Sequence, residues 1–165
     1  MKRPYVHFIL PALVVVLVDQ VSKRMIASTI RYGESVPVIQ GFFNLVHVRN
    51  RGMAFGLMNR PDSSFGYYFL VSAVILAILL IILWFSRLKE GDRSLVFGLS
   101  LILGGALGNL IDRLRFKEVT DYLDFFIGSY HWPSFNLADS AITVGAFWIV
   151  IHILFSSARK NVRKQ

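Results

Sequence analysis

Acidic side chains gather near the ends of the long apolar segments of the chain, and two of them are placed to act as a general acid and a general base. Asp124 lies shortly before the fourth apolar segment, and Asp139 lies near its start. Two carboxyl groups held close together cannot both ionise cheaply, so one keeps a proton while the other does not. Such a pair can activate water for hydrolysis of an amide bond. We therefore predict a catalytic pair of Asp124 and Asp139, and residue types alone leave Asp19 and Asp112 as competing partners.

Other polar residues lie at the ends of the first and third apolar segments, where a structural role competes with a functional one. Asp19 and Lys23 have the i, i+4 spacing of an ordinary ion pair along a helix. Three further candidates share a helical face at the end of the third segment: Asn109, Asp112 and Arg113. Ionisable residues at membrane depth are costly and often mark function. Their clustering favours a site at one face of the membrane.

Asn136 and Asp139 open the fourth apolar segment. Asn is a favoured N-cap residue, so we predict that Asn136 caps this helix. An acid in the first helical turn is stabilised by the helix dipole, and this role alone would explain Asp139. The structural and the catalytic interpretations of Asp139 therefore both stay open at this point.

Other hydrolytic chemistries fit the sequence poorly. The chain has no cysteine, which excludes thiol catalysis, disulfides and cysteine-based metal sites. Its four histidines form no H-E-x-x-H motif, and no G-x-S-x-G motif is present. Ser22 and Lys23 are adjacent and point to different faces of a helix, which disfavours a Ser/Lys dyad. We therefore predict an acid pair that uses no metal and no other cofactor.

The composition indicates an integral membrane protein. Of the 165 residues, 55% are hydrophobic and only 17% are charged, unlike an average soluble protein. A helix needs about 20 mostly apolar residues to cross the hydrocarbon core of a bilayer. The segments that meet this requirement are 5–27, 65–86, 94–111 and 137–157. The formal net charge of +8 is scattered around them without a nucleic-acid-binding motif, so membrane phospholipid is the expected partner and nucleic acid is not.

Four spans place both termini on the same side of the membrane. Lys and Arg are densest in the two tails and in the short connector 87–93, and cytoplasmic segments carry such an excess. We therefore expect cytoplasmic termini, a cytoplasmic connector 87–93, and extracytoplasmic connectors 28–64 and 112–136. The whole chain, 1–165, is expected to form one membrane domain with its acid cluster at the extracytoplasmic face.

The extracytoplasmic connectors are predicted to contain a small sheet. Gly and Pro interrupt the connector 28–64, which favours strands and turns over one continuous helix. Segments 35–39 and 42–48 are rich in β-branched and aromatic residues and are predicted strands. Segment 54–58 is a predicted short interfacial helix, and 52–58 fits a mobile lid and a static anchor equally well. Connector 112–136 is expected to add a strand before Pro133.

Two functions from other classes remain open when only the residues are considered. A small transporter or membrane assembly factor can use intramembrane acids as a proton relay, but its binding groups are expected nearer the bilayer midplane. An enzyme that moves lipid groups is the second alternative. The residues do not determine the substrate preference, the oligomeric state, or which acid carries the proton.

Five sequence blocks together resemble the bacterial lipoprotein signal peptidases, also called signal peptidase II. The blocks are DQVSK (19–23), NRGMAF (50–55), GGALGNLIDR (104–113), DYLDF (121–125) and FNLADS (135–140). They extend from the first span to the fourth. The members of this family are aspartic endopeptidases of the bacterial inner membrane, so the resemblance implies that location and that activity.

The resemblance also implies a fold, a site and a substrate. The implied fold is that of an integral membrane protein that is mainly α. It has four transmembrane helices with a small extracytoplasmic β-sheet cradle and a short interfacial helix. Asp124 and Asp139 match the aspartic pair. The residues implied to line or support the site are Asn50, Asn109, Arg113, Asn136, Asp112, Asp19 and Lys23. The implied substrate is a prolipoprotein, cut before the cysteine that already carries a diacylglyceryl group, and the implied inhibitors are globomycin-type cyclic peptides.

Overall fold

The computed structural model describes residues 5–52, 64–88 and 92–162, without the side chains of 64 and 156–162. This part of the protein consists of four long helices and a small sheet. The helices are α1 (Tyr5–Thr29), α2 (Ser64–Arg87), α3 (Arg93–Phe116) and α4 (Leu137–Val162). The strands are β1 (Ser35–Ile39), β2 (Phe43–Asn50), β3 (Val119–Ile127) and β4 (Tyr130–His131).

All four helices are long and apolar enough to cross a bilayer. A helix satisfies its own backbone hydrogen bonds, which is what a chain in hydrocarbon requires. The prediction of four spans with a small sheet is therefore confirmed. The short helix predicted at 54–58 lies outside the described residues, as does most of the possible lid at 52–58.

The third helix is longer than predicted, since α3 continues from 111 through Phe116. Asp112, which was expected to end the span, is buried there and pairs with Lys23 of α1 at 3.0 Å. A paired carboxylate can be buried inside a helix bundle where an unpaired one could not. The helix ends instead at Lys117, whose left-handed backbone (φ 61°) lets its N–H bond the carbonyl oxygen of Arg113.

Glycines let α3 lie close to its neighbours. A Cβ atom at Gly104 would come within 2.7 Å of the carbonyl oxygen of Ala12 in α1. At Gly105 it would meet the carbonyl oxygen of Ala138 in the first turn of α4. Small residues allow such backbone approach in membrane helices, where packing rather than hydrophobic burial drives association. The approach at Gly105 fixes the height of the first turn of α4, which carries Asp139.

The four strands form one antiparallel sheet in the order β1-β2-β3-β4. The strand predicted at 35–39 is confirmed, and β2 runs two residues beyond the predicted 42–48, to Asn50. Asn50 thereby lies opposite Val119, close to the point where α3 ends. The second connector adds β3 and the two-residue β4. The sheet packs on the end of α1 through a buried cluster of Ile26, Ile30 and Tyr122.

We expect Gly105→Ala to destabilise the protein by about 1–3 kcal/mol, because the added methyl group meets a backbone carbonyl that cannot move without shifting α4. The measurement is the thermal unfolding midpoint of the purified protein in detergent. Leu114→Ala is the control, since Leu114 lies on the same helix and is 60% exposed. Equal midpoints for Gly105→Ala and the wild type would contradict the close packing of α3 and α4.

Candidate active site

A cavity of ≈ 790 Å³ lies where the helices meet the sheet. Each wall comes from a different element: Asn50 from the end of β2, Arg113 from the last turns of α3, Asp121 from β3 and Asp139 from the first turn of α4. The segment 132–135, between β4 and α4, closes another side. The cavity therefore exists only when the sheet and the helices are both in place.

The first turn of α4 presents Asp139 to the cavity through reciprocal capping bonds. The side-chain oxygen of Asn136 accepts the N–H of Asp139 at 3.0 Å, and Oδ2 of Asp139 accepts the N–H of Asn136 at 3.2 Å. This confirms Asn136 as the N-cap and uses Asp139 as the returning residue of a capping box. Oδ1 of Asp139 accepts a further bond, at 2.8 Å, from the amide of Asn109. The carboxylate of Asp139 thus accepts two N–H donors at the start of a helix, a position that suits an anion.

The second acid of the cavity is Asp121, on β3. Its Oδ1 accepts the amide of Asn136 at 2.7 Å, and its Oδ2 accepts the amide of Asn50 at 3.0 Å. The side chain is buried, with 3% exposed. Burial, and then the charge of Asp139, raise the pKa of Asp121 from 3.8 to about 6. Asp121 and Asp139 thus form a coupled pair in one cavity, and Asn136 bonds both.

Asn109 links this pair to a second layer of buried charges. Its Oδ1 accepts Nζ of Lys23 at 2.9 Å, which turns its amide nitrogen toward Asp139. Lys23 lies between two carboxylates, at 2.9 Å from Asp19 and 3.0 Å from Asp112, and all three are buried. The predicted i, i+4 pair of Asp19 and Lys23 is thus present, with Asp112 as a third member.

Asp19 and Asp112 also fix backbone. Oδ1 of Asp19 accepts the N–H of Ala138 at 3.0 Å, so α1 is bound directly to the first turn of α4. Gln20 donates to Oδ1 of Asp112 at 2.8 Å and to the carbonyl of Gly108 at 3.2 Å, which binds α1 to α3. These contacts make the layer below the cavity a structural support.

Arg113 lines the cavity, as predicted, and its guanidinium interacts electrostatically with Asp139 and Asp121. Its Nη1 lies 3.4 Å from the carbonyl oxygen of Asn109. A positive charge beside a cavity that holds two acids can orient a peptide carbonyl or stabilise charge that develops on it. Among residues 5–52, 64–88 and 92–162, no three His, Asp or Glu side chains are arranged to hold a metal ion.

Asp124 is not brought to Asp139, so the predicted pair requires correction. Asp124 accepts bonds from the side chains of Asn44 and His131, and it does not line the cavity. Successive residues of a strand point to opposite faces, so two acids three positions apart on β3 cannot both face the same cavity. The carboxyl group that faces Asp139 belongs to Asp121.

The other predicted site residues converge. Asn50, Asn109, Arg113 and Asn136 surround the pair, and Asp19, Lys23 and Asp112 lie directly behind them. Sequence reasoning missed Asp121, although it lies in the block DYLDF that was singled out. No signal within that block separates Asp121 from Asp124, because the choice depends on how β3 pairs with β2.

The chain is similar to known proteins over almost its whole length. Residues 11–155 match the family described as Signal peptidase (SPase) II. A lipoprotein signal peptidase from Desulforapulum autotrophicum is 45% identical over 157 residues, which cover 93% of this chain and 95% of that protein. A lipoprotein signal peptidase from Oleidesulfovibrio alaskensis is 48% identical over 151 residues, which cover 92% of this chain and 96% of that protein.

Solved structures show the same similarity. One described as a bacterial membrane enzyme has a TM-score of 0.81 at 36% identity, and the match covers 92% of this chain and 89% of that one. A second with the same description has a TM-score of 0.78 at 34% identity, and covers 88% and 90% of the two chains.

The raised pKa of Asp121 predicts pH-dependent stability. The folded protein binds this proton more tightly than the unfolded chain, so the stabilisation is complete below about pH 4 and is lost as the pH rises through about 6. Asp121→Asn abolishes the titration. Relative to the wild type, the unfolding free energy of this variant should therefore rise by on the order of 2–3 kcal/mol between pH 4 and pH 7.

The measurement is thermal unfolding in detergent across this pH range. Glu34→Gln is the control, since it removes an exposed acid that does not line the cavity. Parallel stability curves for the wild type and Asp121→Asn would show that Asp121 does not titrate in this range.

Proposed function

This chain belongs to the signal peptidase II family and is a membrane aspartic protease, and on that premise we propose that Asp121 and Asp139 are its catalytic pair. The observation that carries the proposal is that both acids line one cavity and both bond Asn136. Asp124, which the sequence first suggested, serves elsewhere in the fold. The substrate we propose is a prolipoprotein whose signal peptide is cut before the diacylglyceryl-modified cysteine.

The shape of the cavity supports a substrate that is anchored in lipid. From Asn50 and Asp121 at the sheet, the cavity extends along α4 to Thr143 and Val144. The side chain of Val144 is 54% exposed on a helix that spans the membrane, so this end of the cavity reaches the lipid-facing surface. A signal helix and an acyl-bearing cysteine can therefore present the scissile bond from within the bilayer.

The two acids differ in a way that assigns their roles in the proposed mechanism. Asp121 is the proton donor, because burial and the neighbouring carboxylate raise its pKa to about 6. Asp139 is the base, and its carboxyl group is held for that role by the N–H groups of Asn109 and Asn136 at the start of α4. Two carboxyl groups in different environments let one site supply an acid and a base at the same pH.

Hydrolysis then proceeds through a tetrahedral intermediate. Asp139 takes a proton from a water molecule, the water oxygen attacks the scissile carbonyl carbon, and Asp121 gives its proton to the carbonyl oxygen. When the intermediate collapses, the carbon–nitrogen bond breaks, the leaving nitrogen takes the proton from Asp139, and a hydroxyl of the intermediate returns a proton to Asp121. Arg113 and the amide of Asn50 hold the substrate backbone during these steps.

The proposal extends to orientation and to other ligands. The cavity faces the extracytoplasmic side of the bacterial inner membrane and both termini are cytoplasmic, since the short basic segments favour that topology.

Arg115 and Lys117, exposed at the end of α3, contact phospholipid headgroups. Globomycin-type cyclic peptides inhibit by occupying the same cavity as the substrate. A transporter or assembly factor is not favoured, because the comparisons point to proteases.

We expect Asp121→Asn and Asp139→Asn each to lower the rate of prolipoprotein cleavage by about 10³-fold or more, since the amide keeps the shape of the carboxyl group and loses the proton transfer. The measurement is cleavage of a diacylglyceryl-modified prolipoprotein by the purified variants. Asp124→Asn is the matched control and retains kcat, measured at saturating substrate, within about threefold. Loss of kcat in Asp124→Asn with normal cleavage by Asp121→Asn would overturn the assignment.

The absence of cysteine makes the proposed orientation simple to test. We expect Ser35→Cys, an exposed position on β1, to react with a membrane-impermeant maleimide in intact cells. Gln165→Cys, at the last residue, should react only after the membrane is permeabilised. The reverse pattern would place the cavity on the cytoplasmic side.

A further inference from the structure

Asp124 forms a polar cluster outside the cavity that joins three strands. Oδ2 of Asp124, on β3, accepts the amide of Asn44, on β2, at 3.0 Å. Oδ1 of Asp124 lies 2.8 Å from Nδ1 of His131, on β4. Asp124 is buried while the His131 side chain is half exposed. Burial of a carboxylate is costly unless it is hydrogen-bonded, and Asn44 and His131 supply these bonds.

The cluster compensates for the shortness of β4. This strand has two residues, and its pairs with β3 are Phe126 with His131 and Ile127 with Tyr130. Such a short pairing has little stability of its own. The ring of His131 also stacks on Phe126, with centroids 4.8 Å apart. The side chain of His131 therefore adds two contacts with β3 to the short backbone pairing of β4.

The chain that follows His131 is the wall of the cavity. Trp132 and Phe135 both line it, and the N–H of Trp132 bonds the carbonyl of Phe125 at 2.8 Å. Phe135 exchanges backbone bonds with Leu123 at 2.9 and 3.1 Å. The wall 132–135 is thus held to β3 at both ends, and its first attachment comes directly after His131.

We propose that Asp124 and His131 are positioning residues of the active site, which fix β4 so that the wall 132–135 receives the substrate. This inference rests on the proposed function, because the wall matters only if the cavity binds substrate. Neither residue touches the reacting atoms. Their loss should weaken substrate binding while the Asp121–Asp139 pair, held by Asn136 and Asn109, keeps its chemistry.

The experiment compares His131→Ala, His131→Asn and Asp124→Asn in steady-state cleavage of a diacylglyceryl-modified prolipoprotein. For His131→Ala we expect KM to rise about tenfold and kcat to stay within about twofold. His131→Asn should recover most of the KM, because its amide nitrogen lies at the same place in the side chain as Nδ1 and can donate to Asp124. Tyr130→Ala is the control, since Tyr130 is the other residue of β4 and is 69% exposed.

A double-mutant cycle separates positioning from general loss of stability. The KM effects of Asp124→Asn and His131→Ala should not add, because both remove the same contact. Hydrogen exchange provides a second readout: the amides of Trp132, Ser134 and Phe135 should exchange faster in His131→Ala, while those of α3 are unchanged.

The outcomes distinguish this inference from the proposed function. A normal KM in His131→Ala, or additive effects in the cycle, overturns the positioning role and leaves the Asp121–Asp139 pair intact. A fall of kcat by orders of magnitude in Asp124→Asn, with an unchanged KM, overturns both, because it makes Asp124 a catalytic acid. If His131→Ala does not fold, a normal KM in Asp124→Asn still overturns the inference.

Discussion

Two carboxyl groups that share a buried cavity repel each other when both are ionised, and the rest of the site is arranged around that repulsion. Neutral amides surround the pair: Asn136 bonds both acids, Asn109 bonds Asp139 and Asn50 bonds Asp121. An amide stabilises a carboxylate through a directed N–H and adds no full charge. A bound lysine in the same place would favour two anions, and the site would lose its proton donor. Holding the acids with amides keeps one proton available to the pair.

Full charges are present, but they lie one layer away from the pair. Lys23 bonds Asp19 and Asp112, and its contact with a cavity residue is the bond to the oxygen of Asn109. A buried charge is costly unless it is paired. Here Lys23 has one carboxylate partner from each helix, Asp19 from α1 and Asp112 from α3. The same contacts determine which end of the Asn109 amide faces Asp139, because a lysine can only donate. The buried ion cluster thus determines the orientation of the Asn109 amide that bonds Asp139.

Much of this structure could be predicted from the sequence, since a membrane span is recognised by length and hydropathy and a helix cap by residue type. Asn136 as a cap, and the Asp19–Lys23 pair, follow from local spacing alone. The extent of α3 could not be predicted, because its last turns depend on the partners of Asp112 from another helix. The two-residue β4 could not be predicted either, since it is too short to give a strand pattern and part of its contact with β3 comes from the side chain of His131.

The choice between Asp121 and Asp124 could not be made from the sequence, because both acids lie in one short block. Three residues along a strand correspond to about 10 Å and to opposite faces of the sheet. Only the register decides which acid faces the helices: β3 pairs with β2 so that Asp124 lies opposite Asn44, while Asp121 lies near the end that follows α3. An irregularity in β2 between Leu45 and Val48 shifts that register. The residue spacing within β3 does not predict this shift. The pairing of β3 with its neighbouring strand therefore determines whether an acid on β3 lines the cavity, as Asp121 does, or joins the strands, as Asp124 does.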